Sequence, residues 1–313
     1  MLELVEPHTA GDPMRTRKWL NARLRDIQTR LVEVGHAISL PVISRLLKAH
    51  DYRLRVSRKD AEGTNSPERD CQFAYIQEQR DWHEQAGQPT VSIDTKKKEL
   101  VGNFKNAGHV WCRHPEIVNT HDFPGDAEGR AVPYGIYDLQ HNQAQVYVGQ
   151  SADTAEFAVD NVAIWCQTEL RQRFPAATHL MLLADGGGSN ASRSRLFKQQ
   201  LQEKIADAFG LTVTVCHYPP GASKWNPIEH RVFSEISKTW QGCPLRSFDR
   251  VLDYISDTKT QTGLTVHAHL VTQIYETGIR VSDAIMKTLN IQRHDVCPQW
   301  NYTISPRSQP VLP

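Results

Sequence analysis

The segment HLMLLADGGGSN, residues 179–190, joins a strand pattern to an isolated acid and three consecutive glycines. Its apolar run 180–183 is typical of a strand that is buried on both faces. Asp185 follows at the end of this strand, and glycines 186–188 leave the next three positions without side chains. A carboxylate beside a bare backbone predicts a place where a large ligand approaches the main chain closely.

The composition of the chain excludes several classes of protein. Its 313 residues are enough for two domains, and the formal net charge is +1. The six cysteines form no C-x-x-C pair, which argues against a zinc ribbon or a disulfide framework and favours a reducing cytoplasm. No apolar run approaches the roughly 18 residues of a membrane span. We therefore expect a cytoplasmic protein with no membrane partner.

Positive charge is concentrated near the N-terminus. Between Arg15 and Lys59 there are twelve Lys or Arg and three acids, whereas Asp60 to Pro89 contains seven acids and two arginines. The basic block suggests a segment that binds a polyanion. We predict that the acidic stretch, residues 61–88, is a linker.

Two short helices are predicted in the basic block. Apolar residues recur at helical spacing in the first helix, at Leu20, Leu24, Ile27, Leu31 and Val34. Gly35 ends it, and Ser39 begins a second helix that runs to about Ala49. The pair resembles a helix-turn-helix, although any small helical subdomain shows the same pattern. We predict an all-α helix-turn-helix region over residues 1–60 that binds double-stranded DNA. Its expected phosphate contacts are Arg45, Lys48, Arg53 and Arg55.

Strands alternate with helices after residue 88. TVSID (90–94) reads as a strand, residues 132–149 as a hairpin, and LTVTVCHY (211–218) as a further strand. Asp153 and Glu156 form a capping-box pair before a helix. This order predicts an α/β fold, a mixed sheet with flanking helices, over residues 89–240. We expect a helical extension and tail over residues 241–313.

Three acids occupy positions from which they can converge. Asp94 and Asp185 each lie at a strand end. Asn226 is a good N-cap, which places Glu229 at the third position of the next helix, where a capping role alone is the simplest explanation. However, Glu229 shares a helix face with apolar residues that must pack on the sheet. A helix starting there can direct Glu229 across the strand ends towards the two aspartates.

The order of these acids resembles that of ribonuclease H-like polynucleotidyl transferases. The blocks SIDTKKKELVGNFKNAG (92–108), LLADGGGSN (182–190) and CHYPPGASKWNPIEHRVFSEIS (216–237) resemble motifs of Rhodopirellula-type DDE transposases of bacterial insertion sequences. That family in turn resembles the mariner-like transposases. The similarity runs from about residue 10 to residue 304. It implies a ribonuclease H-like catalytic domain in which Asp94, Asp185 and Glu229 form the acidic triad.

The resemblance also implies a reaction and its cofactor. Transposition starts with hydrolysis of a phosphodiester at the element ends and continues with strand transfer into target DNA. Two Mg²⁺ ions about 3.5–4 Å apart can activate the nucleophile and stabilise the leaving oxygen, and hard cations prefer carboxylate oxygens. The triad is thus expected to be both catalytic and metal-binding, with Mn²⁺ able to substitute. The expected partners are double-stranded DNA, as element ends and as target, and further copies of the chain, in the nucleoid-associated part of a bacterial cytoplasm.

Further residues are expected to support this chemistry. The glycines keep Cβ atoms away from an approaching DNA backbone, Asn190 caps the next helix or orients a metal-bound water, and Asn226 caps the helix of Glu229. The absence of the G-x-x-x-x-G-K-[ST] lysine argues against a nucleotide-binding loop. The supporting residues are Gly186, Gly187, Gly188, Asn190 and Asn226. The expected DNA contacts near the triad are Lys96, Lys97, Lys98, Lys224 and Trp225, with packing an equal alternative for the tryptophan.

Two other functions are consistent with these residues. One is a ribonuclease H-like nuclease that cuts nucleic acid without strand transfer. The other is an inactive DNA-binding remnant of a transposase, against which the intact acidic triad argues.

Overall fold

The computed structural model of the chain describes residues 9–11, 18–20, 22–53 and 67–307. The chain divides into two compact units, residues 1–61 and residues 62–313. Within the described residues, no helix is both long and apolar enough to cross a membrane.

The N-terminal unit contains a short hairpin and two helices. They are β1 (Thr9–Gly11), β2 (Lys18–Leu20), α1 (Leu24–Glu33) and α2 (Leu40–Ala49). The two predicted helices are confirmed, and their inner faces form a core of Ile27, Leu31, Ile43 and Leu47. Gly35 lies in the turn between them with φ +86°, a conformation that glycine adopts without strain. The antiparallel hairpin corrects the prediction of an all-α region, because strands of three residues are too short to show an alternating pattern.

The larger unit is built on a mixed nine-stranded sheet, as predicted for an α/β fold. The strands are β3 (Thr90–Thr95), β4 (Glu99–Val101), β5 (Gly129–Asp138), β6 (Gln143–Gly149), β7 (His179–Ala184), β8 (Thr212–His217), β9 (Thr265–Val271), β10 (Ile291–Arg293) and β11 (Asn301–Ile304). Their order is β10-β11-β8-β7-β3-β5-β6-β9, and β4 pairs with β5. The central β3, β7 and β8 are parallel, while β3, β5 and β6 form an antiparallel meander. This arrangement is the ribonuclease H-like one.

Helices cover both faces of the sheet. They are α3 (Pro67–Gln85), α4 (Ala155–Trp165), α5 (Arg195–Leu201), α6 (Ser234–Thr239), α7 (Phe248–Ser256) and α8 (Asp283–Thr288). α4 continues through a π-helical turn at Cys166–Leu170 into helical Arg171–Arg173, α5 continues through a π-helical turn at Gln202–Asp207, and a third such turn at Glu229–Phe233 leads into α6. On one face Phe157 and Phe197 pack with Ile93. On the other, Phe233 and Val251 pack with Val146.

Helix α3 occupies residues for which the sequence predicted an acidic linker. Gln72 of this helix is buried, and its Nε2 donates hydrogen bonds to the carbonyl oxygen of His217 at 2.9 Å and to Asn301 Oδ1 at 2.7 Å. The acids of α3 are exposed, so they reflect the solvent face of a packed helix. The linker prediction is corrected for residues 67–85.

The C-terminal part of the chain also differs from the predicted helical extension and tail over residues 241–313. β9 pairs in parallel with β6, and β11 pairs antiparallel with β8, so this segment forms both margins of the sheet. β10 and β11 have only three and four residues, and they join the sheet through the pairing of β11 with β8, which is distant in sequence. A local pattern cannot reveal such strands.

Candidate active site

The parallel pairing of β3 and β7 brings the two predicted aspartates together. Ile93 of β3 lies opposite Ala184 of β7 in the register of this pair. Asp94 directly follows Ile93, and Asp185 directly follows Ala184. The two aspartates therefore lie side by side at one edge of the sheet. Asp94 is buried, with 7% of its surface exposed.

The third predicted acid, Glu229, reaches the same place because its helix lies very close to β5. Gly135 of β5 is opposite Asp94, and a Cβ atom on Gly135 would lie 2.6 Å from Ile228 Cδ1 and 2.8 Å from the Phe233 ring. A side chain at position 135 would force these two side chains to move. The Glu229 carboxyl is close enough to Asp94 and Asp185 to interact electrostatically with both. The structure therefore places all three predicted acids in one cluster.

A methyl group at position 135 should test how closely the helix must approach. We expect Gly135→Ala to lower the free energy of unfolding by about 1–3 kcal/mol, because the new Cβ overpacks a buried contact. Urea unfolding monitored by tryptophan fluorescence measures this change. Gly125→Ala is the matched control, since a Cβ at Gly125 meets nothing within 4 Å. Equal unfolding free energies for the two variants would contradict the close approach.

Burial and mutual repulsion make the acidic cluster electrostatically costly. The pKa of Asp94 is raised to about 8, first by burial and then by the negative charges of Asp185 and Glu229. The pKa of Glu229 is also raised, chiefly by burial. The cluster is thus a set of oxygen ligands that a cation would stabilise.

The glycine loop after Asp185 shapes the open side of this cluster. Gly187 N–H donates a hydrogen bond to Asp185 Oδ1 at 3.1 Å, and Gly188 has φ +61°. Asn190 is buried, with Oδ1 accepting from Tyr134 Oη at 2.9 Å. The predicted capping role of Asn190 is wrong, because Ser194 caps α5 by accepting from Phe197 N–H. Asn190 instead anchors the loop to β5.

Asn226 also has a different position from the one predicted. Its side chain is fully buried, and Nδ2 donates a hydrogen bond to the carbonyl oxygen of Ile93 at 3.2 Å and lies 3.5 Å from Asp94 Oδ2. The amide therefore reaches across to β3 and does not cap its own helix. It joins the segment that carries Glu229 to the strand that carries Asp94.

A fourth acid, Asp153, lines the same pocket and was not predicted as a site residue. Its Oδ1 accepts a hydrogen bond from Thr95 Oγ1 at 3.0 Å, and its Oδ2 lies 3.4 Å from Lys98 Nζ. The capping box predicted for Asp153 is wrong, since Thr154 caps α4. Because Asp153 lies just before a helix, the sequence indicated a capping residue and not a site residue.

The basic residues near the triad fall into two groups. Lys97 and Lys98 are exposed at the pocket, which suits their predicted contacts with DNA phosphates. Lys96 is buried, with Nζ 3.6 Å from Glu99 Oε1 and 4.6 Å from the centre of the Trp240 ring. Burial makes a direct phosphate contact by Lys96 unfavourable, so its position suits an anchor of the loop after β3.

The remaining predicted DNA contacts are distributed over both units. Trp225 is 53% exposed, its ring lies edge-on to Phe73 at 6.0 Å, and Lys224 Nζ lies 5.8 Å from the Trp225 ring centre. In the N-terminal unit Arg45, Lys48 and Arg53 are exposed. Arg55 lies outside the described residues. The contacts of all these residues with DNA stay predictions.

The positions of the three acids do not by themselves match a metal-binding site. Among the described residues, no group of three or more His, Cys, Asp or Glu side chains is arranged so that it could hold a metal ion directly. The donor chemistry nevertheless fits a hard divalent cation, because all three clustered groups are carboxylates.

A mixed sheet with acids at the ends of two adjacent parallel strands and at a neighbouring helix start defines a class, the ribonuclease H-like polynucleotidyl transferases. Residues 1–306 match the family described as the Rhodopirellula transposase DDE domain. The chain belongs to this family and is a DDE transposase, which confirms the resemblance seen in the sequence.

Solved structures of the Mos1 mariner transposase are similar to this chain over 78% of its length. The Mos1 paired-end complex with the left transposon end is 14% identical, with a TM-score of 0.42 over 73% of that chain. The Mos1 strand transfer complex is 13% identical, with a TM-score of 0.43 over 72%. The mariner Mos1 paired end complex with Mg is 11% identical, with a TM-score of 0.44 over 73%. No curated protein matches the chain.

Proposed function

We propose that this transposase cuts DNA at the ends of an insertion sequence and joins the freed 3′ ends to target DNA at a single site formed by Asp94, Asp185 and Glu229. The observation that supports this proposal most directly is the register of β3 and β7, which brings two acids to one sheet edge, where Glu229 interacts electrostatically with both. Asp94 lies in a central strand and Asp185 directly follows another, and such supports hold ligands more precisely than long loops do.

The three carboxylates are the proposed ligands of two Mg²⁺ ions, for which Mn²⁺ can substitute. When bound, such ions lower the pKa of the attacking hydroxyl or water and neutralise charge at the phosphate. The raised pKa of Asp94 supports this assignment, because a buried cluster of like charges gains most from a bound cation. The chain itself contributes the fixed positions of the oxygen ligands and the open approach over the glycine loop.

The surroundings of the cluster suit a DNA backbone. Glycines 186–188 present main chain beside Asp185, and a Cβ atom at Gly188 would meet nothing within 4 Å, so the approach is open. The exposed Lys97 and Lys98 stand at the same pocket and supply positive charge for the flanking phosphates. The N-terminal unit, with its two helices and exposed Arg45 and Lys48, is the proposed reader of the element ends.

A joining assay separates transposition from simple nuclease activity. Pre-cleaved element ends with a free 3′-OH are incubated with the full chain, Mg²⁺ and supercoiled target DNA. We expect joined products that require the divalent cation. A nuclease without strand transfer would cut uncleaved ends and give no joined product, and an inactive DNA-binding remnant would give neither. Gel filtration with the end DNA tests the proposed homo-oligomer, because joining two ends at once requires more than one active site.

A further inference from the structure

Ser92 is a buried polar residue at the centre of the sheet, and the chemistry described so far does not use it. It lies on β3 two residues before Asp94, so strand alternation places both side chains on the same face, towards the helix of Glu229. None of its surface is exposed. A hydroxyl group in such a position is costly unless it is hydrogen-bonded.

The hydroxyl of Ser92 has two partners, and both belong to the segment that carries Glu229. Ser92 Oγ donates a hydrogen bond to Asn226 Oδ1 at 2.5 Å and accepts one from Ile228 N–H at 3.1 Å. Helical backbone starts at Pro227, so Ile228 is the second helical residue. Its N–H group has no acceptor within the helix itself. Ser92 therefore caps this helix from a different element of the fold.

Asn226 extends the same network to the strand. Its Nδ2 donates to the carbonyl oxygen of Ile93 and lies 3.5 Å from Asp94 Oδ2. Ser92 and Asn226 are both fully buried, so water does not compete for these hydrogen bonds. The network runs from the amide of Ile228, directly before Glu229, to the residues at and next to Asp94. It fixes the helix start relative to the strand at the point where their two carboxyl groups meet.

We propose that Ser92 is a positioning residue whose hydroxyl holds the Glu229 carboxylate in register with Asp94 for binding a divalent cation. The proposal rests on the function proposed above. Without the hydroxyl, the Ile228 N–H and Asn226 Oδ1 lose their shared partner inside the protein, and the helix start is free to move away from β3. Asp94 and Asp185 are held by the sheet and keep their positions. The substitution is therefore expected to weaken cation binding through the displaced carboxylate of Glu229.

The test compares Ser92→Ala with a control that removes a buried hydroxyl elsewhere in the same sheet. Thr214 of β8 is buried, and its Oγ1 lies 3.3 Å from Thr303 Oγ1 of β11, so Thr214→Val is the matched control. Two measurements are made on the full chain without DNA: Mn²⁺ affinity by calorimetric titration, and amide hydrogen exchange of the peptide that contains Ile228. We expect Ser92→Ala to bind Mn²⁺ about 10- to 100-fold more weakly, as is usual when a residue that orients a metal ligand is lost. Exchange at Ile228 should be faster, and Thr214→Val should match the wild type in both.

Each other outcome also decides the proposal. Unchanged Mn²⁺ affinity and exchange in Ser92→Ala would overturn it, and so would equal losses in both variants, which would indicate a general weakening of the sheet. If Ser92→Ala does not fold, Ser92→Cys keeps the side-chain shape with a slightly larger atom and weaker hydrogen bonds, so it should show a smaller loss in the same direction. A wild type that binds Mn²⁺ but does not cut or join DNA would contradict the proposed function and leave the role of Ser92 supported. A wild type that binds no Mn²⁺ would refute both.

Discussion

Replacing Asp185 with asparagine is expected to abolish DNA cleavage and joining while the chain stays folded and still binds element ends. Asparagine has nearly the shape of aspartate but lacks its charge, so the packing at the end of β7 is preserved. The rate should fall at least about 10³-fold, because the group acts on charge in the transition state. Asp94→Asn and Glu229→Gln should have effects of the same order. The measurement is single-turnover cleavage of a labelled end in Mg²⁺, alongside a binding titration with the same DNA.

Controls for this series come from two acids outside the triad. Asp122 is exposed, and Asp122→Asn should retain wild-type cleavage. Asp153→Asn is more informative, since Asp153 lines the pocket but is engaged by Thr95 and Lys98. Loss of its negative charge frees Lys98 for phosphate contacts, so Asp153→Asn should strengthen binding of the end DNA and leave the chemical step close to the wild-type rate. Cleavage at the wild-type rate by all three triad variants would refute the assignment of the site.

The acidic triad could be predicted from the sequence because its members carry local signals. Asp185 follows a buried-strand pattern, and Glu229 shares a helix face with apolar residues that must pack on the sheet. The contacts that bring these acids together are not local in the sequence. The register of β3 with β7 and the close approach at Gly135 depend on contacts between distant segments. A single sequence suggests that acids can converge but does not show which backbone positions allow it.

The errors have the same physical origin. Asn226 and Asp153 stand just before helices and were predicted to be caps, because that role dominates for such residues in isolation. In the folded protein Ser92, more than 130 positions away, supplies the hydroxyl near Asn226, and Thr154 supplies the cap beside Asp153. A tertiary contact thus released the Asn226 side chain for the site, and a cap by the neighbouring residue released that of Asp153. The short strands β10 and β11 were missed because their stability comes from pairing with the sheet and not from their own sequence.

The cost of bringing three acids together should be visible in the stability of the protein. The folded-state pKa of Asp94 is about 8, whereas its ordinary value is 3.8. Between these two pH values the folded chain binds more protons than the unfolded chain, so the free energy of unfolding falls as pH rises. The stabilising contribution is complete below the unfolded-state pKa and is lost as the pH passes about 8. Asp94→Asn removes this dependence, because the amide does not titrate.

Asp94→Asn is therefore expected to be more stable than the wild type at alkaline pH, with an advantage that shrinks towards acidic pH. The shift in pKa sets an upper limit of about 6 kcal/mol, and a gain of about 2 kcal/mol would already raise the melting temperature by several degrees. Thermal unfolding at about pH 5 and about pH 8.5 in EDTA measures both ends of the range. Added Mn²⁺ should raise the melting temperature of the wild type much more than that of the variant, since a ligand stabilises only the state that binds it.

An inactive variant with no gain in stability at alkaline pH would show that the carboxylates do not repel one another in the folded chain. A shared cation site would then lose its electrostatic basis, because the same crowding that destabilises the acids is what makes a divalent ion bind there.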